Sequence, residues 1–425
     1  MQRTLFTNVT VWSNGAAQPG EVLVAGNKID EVARGGRMLP RHEGATIVDG
    51  AGATLMPGLI DGHAHIPFPN VPRLAEWASI PIEEHVLISM HNARAVLDGG
   101  ITGAISAGSV KPRLDIVIRN EINAGRIPGP RMLACTPEFT CTGGLGDERL
   151  MDNDVQTISI MADGAPEFRR LARMYCREGV DLIKMAVSGH PTMPHAPAQS
   201  TVMMEDEIGA VTATARAFGK RTAAHARSKE SVQMCLRQGV DILHHCEYAD
   251  SEALDQLEAA KDRIFLGPAV GPVHAMIYEN SIPHLSECAR TELKRQLDAY
   301  CTTYQALRRR GVKVLIGGEY GLPGIPHGYA SRDLMHFVSY FGYSGHEALI
   351  AATKHGAEAM RMGDRLGEVE KGFLADLLLV RGKPWDDVGL LSDHANLLAV
   401  MRDGEFHKAP TSLMSIVRAQ RVAAE

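Results

Sequence analysis

His63 and His65 stand two residues apart in Leu59-Ile60-Asp61-Gly62-His63-Ala64-His65, behind the turn signal Met56-Pro57-Gly58. On a strand, side chains alternate with a period of two, so both imidazoles project from one face and could grip one metal ion. A pair of satisfied core histidines is the alternative for so short a motif. Four more segments carry chemistry at the ends of apolar runs: Lys184 in Val-Asp-Leu-Ile-Lys-Met-Ala-Val, His225 in Ala-Ala-His-Ala, His245 in Leu-His-His-Cys, and Glu319 in Gly-Gly-Glu-Tyr-Gly. A lysine inside an apolar run is costly to bury uncompensated. Either it snorkels to solvent or its nitrogen is chemically occupied, as in a carbamate formed with carbon dioxide, an anionic oxygen ligand able to bridge two metals. Four histidines, one anionic bridge and one carboxylate could hold two divalent ions around a hydroxide. Imidazole and carboxylate suit zinc, with manganese or cobalt as alternatives, better than calcium or magnesium.

These residues need a scaffold that gathers strand ends. Apolar runs alternate with helix-length segments through the middle of the chain, the signature of repeated βα units and a parallel sheet. Eight candidate strands are readable at 59–65, 102–106, 131–136, 181–187, 221–226, 241–246, 263–270 and 312–317, with amphipathic helices such as 205–218 and 228–238 between them. Short strands at 5–12, 21–24, 28–32 and 46–48, and again within 372–382 and 397–404, have no helix between them. The expected fold is therefore α/β: a (β/α)8 TIM-like barrel over 57–363, a small β-sandwich domain built from 1–56 and 364–410, and a C-terminal helical tail over 411–425. Active sites of such barrels sit at the C-terminal ends of the strands, where these side chains fall.

Composition narrows the partners. The 425 residues are 45% hydrophobic and 22% charged, as in an ordinary globular protein. A net charge of −6 gives nucleic acid or an anionic membrane no general attraction. No apolar run reaches the ~20 residues of a membrane span, and the first residues lack a signal-peptide pattern. A cytoplasmic homo-oligomer acting on a small-molecule substrate is expected. Seven scattered cysteines without a Cys-x-x-Cys pair argue against a disulfide framework or a thiolate zinc site.

Taken together, Met56-Pro-Gly-Leu-Ile-Asp-Gly-His-Ala-His65, Lys184, Ala224-His225-Ala226, Gly239-Val-Asp-Ile-Leu-His-His245, Gly317-Gly-Glu319, Ala351-Ala-Thr-Lys-His-Gly-Ala357 and Leu366-Gly-Glu-Val-Glu-Lys-Gly-Phe-Leu-Ala-Asp-Leu377 resemble the metal-dependent amidohydrolase superfamily. The likeness is to its imidazolonepropionase-like and Xaa-Pro dipeptidase-like branch, over almost the whole chain. The resemblance implies His63, His65, carboxylated Lys184, His225 and His245 as metal ligands, usually of two zinc ions. It departs at three places: Glu319 stands where the family commonly has aspartate, Leu145 where relatives often read Thr-Gly-Gly-His-Gly, and Arg227 where a tyrosine often follows the strand-five His-Ala.

The expected activity is hydrolysis of an amide-type C–N bond by a metal-bound hydroxide, with Glu319 relaying the proton, on an N-acyl amino acid or aryl amide. Carbamate, phenylurea or organophosphate ester hydrolysis, ring deamination and a non-catalytic scaffold are the alternatives. His244, next to His245, is expected to point away from the metal. His190 and His195 in a Pro-rich loop, His274 and His327 are loop histidines that could meet substrate or lie on the surface. Arg227 could clamp a substrate carboxylate or form a helix-start salt bridge.

Overall fold

The computed structural model describes residues 2–411 except 72, 73, 153, 154, 192, 194, 280, 283 and 284. All of the expected tail but Thr411 thus lies outside the described residues.

Both chain ends enter one sheet. Its spatial order is Glu405–Lys408, Leu397–Arg402, Leu377–Val380, Thr54–Pro57, Arg3–Ser13, Ala16–Ala25, Lys28–Arg34, with Thr46–Asp49 beside Arg3–Ser13. Alternating apolar residues supply its core, including Phe6, Val22, Leu55, Leu377 and Ala399. Thr54–Pro57 runs antiparallel to Leu377–Val380, with Leu55 opposite Leu379. The chain then turns at Gly58, where a side chain would collide with Thr102, and enters the second body.

That body is built of parallel strands. Leu59–Ala64 pairs with Ile101–Ser106, which pairs with Arg131–Leu133. A bridge from Cys135 to Leu182 carries the ladder on to Leu182–Ala186, then Arg221–Ser228, Ile242–Tyr248 and Phe265–Gly267. The seventh strand is shorter than expected, and the eighth is joined to it by a bridge between Val314 and Leu266. The Gly62 N–H donates to Ile316 O at 2.7 Å and closes the ring of eight. Between the third and fourth strands lies a small parallel pair, Phe139–Thr140 with Ile160–Met161, that sequence periodicity does not reveal.

Ile60, Ile105, Cys135, Leu182, Ala223, Ile242, Phe265 and Leu315, one from each strand, fill the N-terminal end of the barrel. Two residues further along, the inward positions of strands four, five and six are Lys184, His225 and His244. The helices that brace these strands follow simple rules. In Lys229–Gln238, Ser228 caps the first turn by accepting from the Ser231 N–H at 3.2 Å, Val232, Cys235 and Leu236 face the barrel, and Gly239 ends it in the left-handed region. All seven cysteines are free. No helix among the described residues is long and apolar enough to cross a membrane.

Candidate metal centre

At the C-terminal end of the barrel, His63 Nε2 lies 3.2 Å and His245 Nε2 3.6 Å from the same oxygen of Glu319. His63, His65 and Glu319 each offer a ligand atom within 4.8 Å of the others. The ring centroids of His63 and His65 are 5.3 Å apart, those of His63 and His245 5.2 Å, and those of His225 and His245 4.3 Å. Both ring nitrogens of His63 and Nε2 of His245 are buried without a hydrogen-bond partner. Such orphans are uncommon in a protein interior, and a cation would satisfy them. His65 is oriented differently: its Nδ1 donates to Gly108 O at 3.0 Å, leaving Nε2 to present a lone pair. Burial, aided by the Lys184 charge and neighbouring histidines or Arg227, holds His63 and His245 well below the usual imidazole range; burial holds His65 at about 4. The neutral form that results is the one that binds metal. The donor set fits a first-row divalent ion.

Lys184 does not snorkel. It is fully buried, with Nζ 2.6 Å from His244 Nδ1 and 3.5 Å from Glu138 Oε1, and burial pulls its pKa down. The expectation that His244 points away is corrected here, since its ring stacks on His63 at 3.7 Å. Alternation from Ile242 already sends His244 inward, and His245 joins it because His245 and Cys246 take φ of 76° and 58°, breaking the alternation. Gly267 makes room, as a side chain there would press on the His244 ring. Glu138 is a site residue that sequence reading passes over. Its only signal was its place just beyond the third strand.

Arg227 is 4% exposed, and its Nη1 donates to Glu247 Oε1 and to Tyr300 Oη, the latter at 3.1 Å. Gln296 Nε2 also donates to Glu247, at 2.9 Å. Of its two readings the geometry shows a salt bridge, made to Glu247 on the sixth strand and not at a helix start. Arg227 Nε also faces His225 Nε2 at 3.2 Å, while that nitrogen lies 3.0 Å from Gly189 O. The first contact needs a lone pair on Nε2 and the second a proton, so one imidazole tautomer satisfies only one of them. The carbonyl contact frees Nδ1 for a metal.

The other loop histidines divide. His190 is partly buried with its ring 6.0 Å from His225, and His327 Nε2 reaches Phe68 O at 3.0 Å beside the first strand's exit. His195 is exposed. His274 belongs to a separate group, bonded to Tyr340 at 2.6 Å and packed on His336.

Residues 54–406 match the Amidohydrolase family, and the chain belongs to it. Among individual proteins, it is 23% identical to the ochratoxinase of Aspergillus niger over 69% of its own length, and spans 63% of that enzyme's. An imidazolonepropionase of Acidiphilium cryptum is 23% identical over 88% of this chain and 92% of its own. The crystal structure of a prolidase complexed with N-methylphosphonate-L-proline is similar with a TM-score of 0.85 at 25% identity, covering 96% of this chain and 100% of that one. The sequence-based expectation of an imidazolonepropionase-like and dipeptidase-like relationship agrees with these likenesses.

Proposed function

We propose that this protein is a metal-dependent hydrolase of an amide-type C–N bond, with an N-acyl amino acid or aryl amide as substrate. One observation carries the reading: Nε2 of His63 and of His245, both buried without a hydrogen bond, converge on one Glu319 oxygen at the C-terminal end of a closed barrel. The names of the similar proteins, an ochratoxinase, an imidazolonepropionase and a prolidase, support it. On this reading 57–363 is the catalytic domain and 1–56 with 364–410 a β-sandwich domain.

His63, His65, His225, His245 and a carboxylated Lys184 would hold two divalent ions, zinc or else manganese or cobalt. Such ions supply Lewis-acid polarisation of the carbonyl and a more acidic water. The chain supplies the proton traffic. Glu319 is 17% exposed where His63 and His245 are fully buried, so it meets both water and substrate. It accepts the proton of the attacking water and returns it to the leaving nitrogen. Glu138, at 16% exposure, flanks the same opening beside Lys184.

Metal analysis of purified protein, paired with a hydrolysis screen of N-acyl amino acids, aryl amides, carbamates and ureas, tests the reading. Bound transition metal and turnover of an amide are expected. Protein that binds no metal, or that is fully active without it, would sink the reading.

A further inference from the structure

Glu319 is held in a conformation it would not choose. Its φ is 52°, in the left-handed region that a non-glycine residue enters at a cost, and Gly317 two residues before has φ 146°. The backbone there has no slack. A side chain on Gly317 would lie 2.4 Å from His63 N and 2.6 Å from Asp61 Oδ1, and one on Gly318 would lie 2.7 Å from both Asp333 Oδ1 and the Tyr320 ring. The strand end is thus gripped from two sides, by the first strand and by Asp333, which opens the helix Asp333–Phe341.

Asp333 is fully buried. Its Oδ2 accepts from the Gly317 N–H at 2.9 Å, and its Oδ1 accepts from Tyr320 Oη at 3.3 Å and faces His336 Nδ1 at 3.3 Å. One carboxylate therefore ties the residue two before Glu319 to the residue one after it. Three donors orient that carboxylate, and it touches none of the candidate ligands.

We propose that Asp333 is a positioning residue: by joining Gly317 to Tyr320 it fixes the left-handed turn that presents the Glu319 carboxylate to His63 and His245. This rests on the proposed role of Glu319 as proton carrier. Loss of the tie lets the turn relax toward an ordinary φ and swings the carboxylate off its place, where a displacement near ~1 Å can cost about 100-fold in rate.

The test compares Asp333→Ala and Asp333→Asn, each alone and combined with Glu319→Gln, in metal-reconstituted protein, reading kcat, KM and metal content. Asp333→Ala should lower kcat about 10- to 100-fold with KM and metal content kept. Asp333→Asn retains an acceptor for the Gly317 N–H and should recover most of the rate. In the Glu319→Gln background Asp333→Ala should add less than about 2-fold, because the group it positions is already disabled. Equal losses in both backgrounds, or metal lost in step with activity, would overturn the proposal. If Asp333→Ala does not fold, Tyr320→Phe removes a single donor and should show the same background-dependent loss; no loss overturns the proposal. If the wild type hydrolyses no amide, the functional reading fails alone. A crystal structure of Asp333→Ala, or of Tyr320→Phe where that variant does not fold, then decides: Glu319 moved by about 1 Å upholds the tie, and an unmoved Glu319 refutes it.

Discussion

At the seam where the barrel meets the small sheet, Arg131 Nε and Nη2 reach Asp376 at 3.1 and 3.2 Å, Nη2 also meets Asp403, and the Asp403 N–H donates to Asp376 at 2.8 Å. At the rim, His63 has no hydrogen-bond partner for either ring nitrogen, and Lys184 lies buried against a histidine. Both places bury charged or polar side chains, and Asp376 and His63 are equally sealed from solvent. They differ in whether the bonding capacity is closed within the chain. A closed network holds parts together, whereas open capacity, maintained at a cost to folding, is available to a ligand.

The sharpest way to break that contrast is chelation. Activity should vanish with the metal and return with zinc, manganese or cobalt, whereas folding of the seam should be unaffected; full activity after chelation would make the rim as closed as the seam. Lys184→Ala should deplete metal, as measured by elemental analysis, and a variant holding two ions normally would place Lys184 among the structural residues. Glu319→Gln should keep its metal and lower kcat by at least about 100-fold, and Glu319→Asp should also be impaired because its shorter stem retracts the carboxylate. Near-normal kcat in Glu319→Gln would hand the proton to another group. Arg131→Ala should do the opposite of these, destabilising the fold by about 3 kcal/mol in a denaturant titration, since Asp376 is left buried without its cation, while kcat per folded molecule is unchanged. The smallest effect on catalysis is expected in the charge preference of Arg227→Ala. Its ratio of KM for acidic and neutral substrates should shift less than about 2-fold, because Glu247 already occupies the guanidinium; a larger shift would restore the substrate clamp.

The division into a barrel and a small β body drawn from both ends of the chain was open to a reader of the sequence because it follows from periodicity. Alternation gave most strands of both bodies, though not Thr54–Pro57, Glu405–Lys408 or the pair Phe139–Thr140 with Ile160–Met161, and the placing of His63, His65, His225 and His245 at strand ends followed from the run lengths. Three features of the site were not legible, each for a stated cause. That His245 joins His244 on the inner side depends on the φ of His245 and Cys246, which no pattern of side chains encodes. The partner of Arg227 is Glu247, twenty residues away on the next strand, and only the barrel brings them together. Glu138 sits in an irregular stretch beyond the third strand, where no period tells which way a side chain faces.

The sheet built from both ends also bears on how the chain is made. Thr54–Pro57 finds its partner in Leu377–Val380, so its outer edge waits while roughly 320 residues are synthesised. At about 5–20 residues per second that is tens of seconds in which an apolar strand, Leu55 and Met56 at its centre, has an unpaired edge on the ribosome. Non-local pairing of this kind is slow even after release. The barrel, whose strands pair with near neighbours in sequence, has time to close first, and the small sheet then acts as the lock that registers the two ends. Slower synthesis lengthens the exposure of that edge, whereas a chaperone that shields the first 57 residues shortens it.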